Sequence, residues 1–194
     1  MSLEYVNRRG DRYYVLEGRT KTGKPKYYCS KRPGENTVEC LPEGYEVHER
    51  PADAMVVVRK VRRSRVAPFE REQLARLADS LASVPAVVDV EGDSLIVYAS
   101  DTNPDESIRA MTILLGTSLG DEEQHRQWIA GNSRYSPMFR FTLSDEDRRL
   151  YSVERWCYLG SIDRWMPLLR SGPLEELADE YLPHLGEESF FELT

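Results

Sequence analysis

The chain has 194 residues, of which 40% are hydrophobic and 30% are charged, and its formal net charge is −7 at pH 7. This length and composition are sufficient for one ordinary globular domain or two small ones. The sequence contains no run of about 18 apolar residues, so no membrane-spanning helix is predicted. It also has no apolar segment near Met1 of the kind that directs secretion, so we expect a cytoplasmic protein.

The charge is distributed unevenly along the chain. Residues 1–66 contain 15 Lys and Arg against 9 Asp and Glu, a net charge of +6, whereas residues 67–194 contain 11 against 24, a net charge of −13. Such a difference indicates that one part of the chain meets a polyanion, or that the two parts attract each other.

Residues 4–66 predict an antiparallel β-meander. Arg12–Gly18 alternates in the manner of a strand and is rich in Tyr and Val. Gly23 can adopt the positive φ that a turn over Thr20–Lys24 requires. Further strands are predicted at Lys26–Lys31, Thr37–Leu41, Tyr45–Glu49 and Met55–Val61.

Composition changes at Val61–Val66, a basic connector after which the chain becomes acidic. We therefore expect a basic β-meander module at residues 1–62 and an acidic α+β domain at residues 63–194. The alternative that the sequence leaves open is one continuous domain.

Two helices in the acidic part have clear signals. Pro68–Ser83 carries an apolar stripe at helical spacing. Asn103 is a suitable N-cap, with Pro104 at the first helical position, and Gly116 is expected to end that helix. Within it, Ile108, Met111 and Leu115 are expected to face inward.

The remaining elements complete an α+β fold, with the β-meander followed by an α/β part that contains two hairpins and about three main helices. Two tryptophans, Trp156 and Trp165, are expected in the core, as are Phe190 and Phe191. The predicted elements are hairpin strands at Val87–Val90 and Leu95–Ala99, a short helix at Asp121–Ile129, strands at Met138–Leu143 and Leu150–Tyr158, a helical turn beginning at Gly160–Asp163, and a last helix from Leu174 to Tyr181.

Three cysteines, Cys29, Cys40 and Cys157, are too few and too widely spaced for a disulfide framework. Buried free thiols are the expected state, and a pairing of Cys29 with Cys40 is the alternative. Together with His48 they lack the close paired spacing of a zinc site, so we expect no metal and no cofactor.

Several short segments resemble strings in bacterial proteins of unassigned function. They are Tyr5–Asp11, the Thr20–Lys26 turn, Glu154–Cys157 and Gly160–Asp163. The resemblance covers both ends of the chain, and it transfers no activity and no functional residue.

Enzymatic chemistry has weak candidates. The Thr20–Lys24 turn has one glycine and precedes a strand, unlike a nucleotide-binding loop. Ser161, Asp163 and His184 form the one triple typical of nucleophilic catalysis, but a helix cap at Ser161 and closure of the last helix by His184 are the better explanation. Asp89 alternates onto the same strand face as Glu91, as a metal-dependent hydrolase requires, but acids beside a glycine turn are ordinary.

The segment from Arg8 to Arg32 has the most distinctive composition, with nine basic residues against Asp11 and Glu17. Nucleic-acid surfaces combine cations for phosphates with flat rings that stack on bases. The hairpin is therefore the candidate site for nucleic acid or another polyanion. The alternative is a half-buried sheet whose lysines only solvate its edge. The site residues are Arg12, Tyr14, Arg19, Lys21, Lys24, Lys26 and Tyr28.

We therefore predict a non-enzymatic module that binds nucleic acid or another polyanion through this hairpin. The first alternative is a protein-interaction or adaptor protein, whose basic face meets an acidic partner or a second copy of the chain. The second alternative is a metal-dependent hydrolase built on Asp89 and Glu91.

Overall fold

The computed structural model describes residues 2–117, 120–159 and 162–193. The fold is α+β, as predicted, with antiparallel sheets of three, two and five strands. The chain divides into two compact units, Met1–Arg62 and Arg63–Thr194. No helix in the described part is long and apolar enough to cross a membrane.

The first unit contains two small sheets. One has the strand order β1-β2-β3 and the other pairs β4 with β5. Its buried residues include Val15, Ala54 and Val56, and the Asn7 side-chain amide donates to the Ala54 carbonyl at 2.8 Å. The strands are β1 (Glu4–Val6), β2 (Arg12–Arg19), β3 (Pro25–Ser30), β4 (Tyr45–Glu49) and β5 (Val56–Lys60).

One predicted strand of this unit is wrong. Between residues 37 and 41 the described chain makes only a single bridge, from Thr37 to Leu16. Two backbone bonds tie this segment to β2, from Val38 N to Val15 O and from Glu17 N to Asn36 O. The segment therefore borders β2 without forming a regular ladder.

The second unit is built on one five-stranded antiparallel sheet, in the order β10-β9-β8-β7-β6. Helices α1 and α4 pack on one face of it. Its elements are α1 (Pro68–Leu81), β6 (Ala86–Glu91), β7 (Ser94–Ser100), α2 (Pro104–Leu115), α3 (Glu122–Asn132), β8 (Tyr135–Asp145), β9 (Leu150–Leu159), β10 (Ile162–Pro173) and α4 (Leu174–Tyr181).

The core of the second unit lies between the sheet and these two helices. Phe139 is fully buried there, in ring contact with Phe141, Tyr181 and Phe190. The alternation of β7, β8 and β9 places one set of side chains in this core and the other set on the opposite face, which we call the outer face.

Several predicted positions need correction. Phe190 is buried, as expected, but Phe191 is 67% exposed. On α2, Ile108 faces inward as expected, whereas Met111 and Leu115 are exposed. A helix this short and amphipathic contacts its neighbours along one narrow stripe, which these two residues miss.

The region around Trp165 is a strand and not the helical turn expected there. Trp165 belongs to β10, which pairs with β9 from Ile162 onward. Gly160 and Ser161, and with Ser161 the catalytic triple considered above, lie outside the described residues. Trp156 and Trp165 lie on the outer face, partly exposed, and not in the core.

Candidate functional site

The predicted site residues lie on the β2–β3 hairpin and its turn. The turn is closed by backbone bonds from Gly23 N to Thr20 O at 2.9 Å and from Thr20 N to Lys24 O at 2.8 Å. Gly23 has φ +80°, a conformation that costs glycine little. This geometry places Lys21 and Lys24, both exposed, at the tip of the hairpin.

The antiparallel register divides the strand residues between two faces. Tyr14 is opposite Ser30, Leu16 is opposite Tyr28, and Gly18 is opposite Lys26. Because paired residues share a face and alternate residues do not, Arg12, Tyr14, Lys26 and Tyr28 lie on one face of the sheet. Arg19, paired with Pro25, lies on the other face.

Four of the predicted cations surround the turn, and we call Arg19, Lys21, Lys24 and Lys26 the turn cations. All four are exposed, and none of them makes an ion pair with any residue that the structure describes. Exposed and without an ion-pair partner among these residues, they have their charge available to a ligand.

Arg12 and Lys31 differ from the turn cations because each is already paired. Arg12 is 2.8 Å from a Glu4 carboxylate oxygen. Lys31 is 2.7 Å from an Asp11 oxygen, and this bond lowers the pKa of Asp11 and raises that of Lys31. The predicted site therefore contains four cations without an ion pair to a described residue at the turn, and one ion-paired cation, Arg12, at the start of β2.

The two predicted tyrosines also differ from each other. The Tyr28 side chain is 39% exposed, and Tyr14 is partly buried. A Cβ on Gly18 would lie 3.2 Å from Tyr28 Cε1. The absence of a side chain at Gly18 therefore lets the Tyr28 ring approach the β2 backbone closely. Composition and spacing do not predict this role of Gly18, which follows from the cross-strand register.

A cleft of about 460 Å³ lies beside Tyr28, between the facing parts of β3 and β5. The residues that line it come from both faces of the hairpin and from the start of β5: Tyr13, Lys26, Tyr27, Tyr28, Cys29, Met55, Val56, Val57 and Val58. Its volume is within the range of small-molecule and single-base sites. Its lining therefore combines apolar residues of β5 with three tyrosines, of which Tyr28 is exposed, and with one exposed cation, Lys26.

Tyr27 and Cys29 alternate onto the opposite face of the sheet from Lys26 and Tyr28, and both also line the cleft. Tyr27 contacts the Tyr45 ring, with centroids 5.6 Å apart, and burial raises the pKa of Tyr27. The three cysteines are free thiols, and burial raises the pKa of Cys29. The predicted alternative of a Cys29–Cys40 disulfide is thus wrong.

The remaining candidates do not converge on a site. Glu91 is exposed at the β6–β7 turn. Within the described residues, no group of three or more His, Cys, Asp or Glu side chains is arranged to hold a metal ion.

Comparison with protein-family models, with curated proteins and with solved structures finds no match for this chain.

Proposed function

We propose that the protein is a non-enzymatic module that binds single-stranded nucleic acid through the β2–β3 hairpin. The observation that carries the proposal is the group of turn cations, which are exposed and make no ion pair with any described residue, and of which Lys26 shares a face with the exposed Tyr28 ring. Cations that contact phosphates and rings that stack on bases are the two components of single-strand binding.

The cleft beside Tyr28 favours a single strand over a duplex. Bases of a single strand are unstacked and can enter a cleft or stack on a ring, whereas those of a duplex are occupied by their neighbours. The acidic second unit also opposes a long duplex. Residues 63–194 carry 13 basic and 24 acidic residues, a net charge of −11, which repels an extended polyanion.

The binding is expected to weaken steeply with salt. If all four turn cations contact phosphates, the slope of log K against log salt is about −2.8, so raising salt from about 50 mM to about 200 mM weakens binding roughly 50-fold. In Lys21→Glu/Lys24→Glu we expect this slope to fall by at least half, together with the affinity. Fluorescence anisotropy with a labelled single-stranded oligonucleotide of about 16 nucleotides measures both quantities.

Two matched controls separate site binding from general charge. Lys60→Glu/Arg62→Glu changes the net charge by the same amount at exposed positions of the same unit outside β2, β3 and their turn, and it should retain most of the affinity. Tyr28→Ala should cost about 1 kcal/mol or more through lost stacking, while Tyr28→Phe should not. Equal loss in both charge variants, or no binding to RNA or DNA at low salt, contradicts the proposal.

The second candidate is self-association, favoured by the opposite charges of the two units. Residues 1–62 carry 13 basic and 9 acidic residues, a net charge of +4, against −11 in the rest of the chain. In this case the turn cations would meet the acidic surface of a second copy. Light scattering would then show a mass that rises with protein concentration and falls with salt, and Lys21→Glu/Lys24→Glu would remain monomeric. A constant monomer mass excludes this candidate.

A further inference from the structure

The outer face of the five-stranded sheet carries a second arrangement of chemically active side chains, far along the chain from the hairpin. A cleft of about 590 Å³ lies on it, lined by side chains of β7, β8, β9 and β10. This volume is typical of small-molecule sites. The side chains in and beside the cleft form three rows that run across the strands.

The first row consists of hydroxyl groups. The register places Ser94 opposite Thr142, Thr142 opposite Ser152, and Ser152 opposite Ser171. The Ser94 and Thr142 hydroxyl oxygens are 2.8 Å apart. Because each hydroxyl both donates and accepts hydrogen bonds, this row complements a ligand that is itself rich in hydroxyls.

The second row is a cross-strand ion pair. Arg140 is opposite Glu154, and its Nε lies 2.5 Å from a Glu154 carboxylate oxygen. Both side chains remain partly accessible, at 29% and 22%. The pair offers donors and acceptors to a ligand but carries no net charge, so it favours neither an anion nor a cation.

The third row is aromatic and adjoins the cleft. Trp156 is opposite Trp165, and their ring centroids are 4.8 Å apart. The Arg140 guanidinium lies 4.7 Å from the Trp165 ring centroid, which links this row to the second. Tyr158, 53% exposed, extends the row. Such rings provide flat apolar surface with polar edges.

The rim of the cleft is formed by an irregularity in β10. The register shifts between Pro167 and Ser171, and Leu169 within it has φ +50° and is 93% exposed. A left-handed conformation is costly for leucine, and so is full exposure of its side chain. Strain of this kind is concentrated at ligand-binding sites, and bulges commonly border them.

We propose that this cleft binds a sugar unit of a neutral carbohydrate. A sugar has hydroxyl groups around its ring and an apolar face of C–H groups. The hydroxyl row and the Arg140–Glu154 pair match the former, and Leu169 with the aromatic row matches the latter. Arg170 also lines the cleft, and its Nε lies 3.0 Å from a Glu180 carboxylate oxygen. Each charged side chain that lines the cleft is therefore ion-paired, which disfavours phosphates and other charged ligands.

Binding is tested first on an array of neutral and charged oligosaccharides, and then by tryptophan fluorescence with the neutral glycan that binds. The titration uses a Trp128→Phe background because Trp128, on α3 and 65% exposed, would add a signal unrelated to the cleft. We expect saturable binding to a neutral glycan and a change in the fluorescence of Trp156 and Trp165.

Thr142→Val tests the hydroxyl row with little change of shape. We expect it to bind the glycan roughly tenfold more weakly, because a buried ligand hydroxyl loses its partner, while Thr117→Val, at an exposed position after α2, binds normally. Thermal unfolding of each variant verifies its fold. Binding to no neutral glycan, unchanged affinity in Thr142→Val, or equal binding of adenosine would each overturn the assignment. All these outcomes are independent of nucleic-acid binding by the hairpin.

Discussion

Replacing Phe190 by alanine is expected to lower the free energy of unfolding of the second unit by about 3 kcal/mol. Phe190 is 2% exposed and lies edge-on to Phe139 with ring centroids 5.2 Å apart. The Arg155 guanidinium is 5.9 Å from its ring centroid. Truncation removes this buried ring and leaves a cavity against Phe139 that the surrounding core fills only in part.

The adjacent Phe191 provides the matched control. It is the same residue type, one position along the chain, but it is 67% exposed, so Phe191→Ala is expected to change stability by less than about 1 kcal/mol. Urea unfolding followed by tryptophan fluorescence measures both, because Trp128, Trp156 and Trp165 all belong to the second unit. Equal losses in the two variants would show that the contacts of Phe190 do not stabilise this unit.

This pair of residues illustrates how far the sequence specifies the fold. Apolar composition predicted that the C-terminal tail packs on the core, and Phe190 does so. Consecutive residues in the Glu188–Glu192 turn cannot both face the core, and which one does depends on the tail's path across α4 and β8. That path results from tertiary packing, which local pattern does not encode.

The two ends of α2 are predicted correctly by residues within one turn of the helix. Asn103 caps α2 by accepting bonds from the Asp105 and Glu106 amides, and Pro104 begins the helix. Gly116 ends it with φ +66°. Helix caps are formed by residues within a few positions of each other, so the local sequence is sufficient to predict them.

Predictions about β10 failed for the opposite reason. Its segment contains Gly172 and two prolines, Pro167 and Pro173, which argue against a strand. As an edge strand paired only with β9, it tolerates prolines on its free side. The local sequence does not show that this segment pairs with β9. For that reason Trp165 was wrongly expected in a helical turn and in the core.

The two candidate sites also differ in whether their residues are close in the sequence or only in the fold. The turn cations are close in sequence, so composition alone found them. The outer-face cleft combines Ser94, Thr142, Ser152 and Ser171, which are ordinary serines and threonines until the register aligns them across four strands. The bulge that raises Leu169 is likewise invisible in a period-two pattern.

Arg149→Ala is expected to destabilise the second unit by about 2–3 kcal/mol at pH 7. Arg149 Nε donates to Glu70 Oε1 at 2.9 Å, and a second bond joins its Nη2 to Oε2. Glu70 is 3% exposed and also accepts from the Ala67 amide at the start of α1. Removing the guanidinium leaves a buried carboxylate without its cation, and this costs more folding stability than the loss of an exposed ion pair. The one-third exposure of Arg149 keeps the value below that of a fully buried pair.

The pH dependence of this loss identifies its electrostatic origin. In the intact protein, burial acts to raise the pKa of Glu70, but the bonds from Arg149 and Ala67 outweigh it and the pKa is lowered. The pair therefore stabilises the fold above the unfolded pKa of about 4.3, and this contribution is lost as pH falls through the folded pKa. In Arg149→Ala the cation is lost and burial, the largest influence, is opposed only by the hydrogen bonds from the Ala67 amide and from Tyr151, so we expect the pKa of Glu70 to be raised above its ordinary value.

A raised pKa makes the variant gain stability as pH falls, because its folded state then binds the proton more tightly than its unfolded state. The difference between the intact protein and Arg149→Ala should therefore shrink between pH 7 and about pH 5. Arg148→Ala is the matched control, since Arg148 is the exposed neighbour and its side chain makes no hydrogen bond or ion pair with a described residue, while its backbone amide, bonded to Asp145, is retained in the variant. Its stability should follow that of the intact protein at each pH. A loss in Arg149→Ala that stays constant with pH would assign the effect to packing of the arginine side chain and not to the charge left on Glu70.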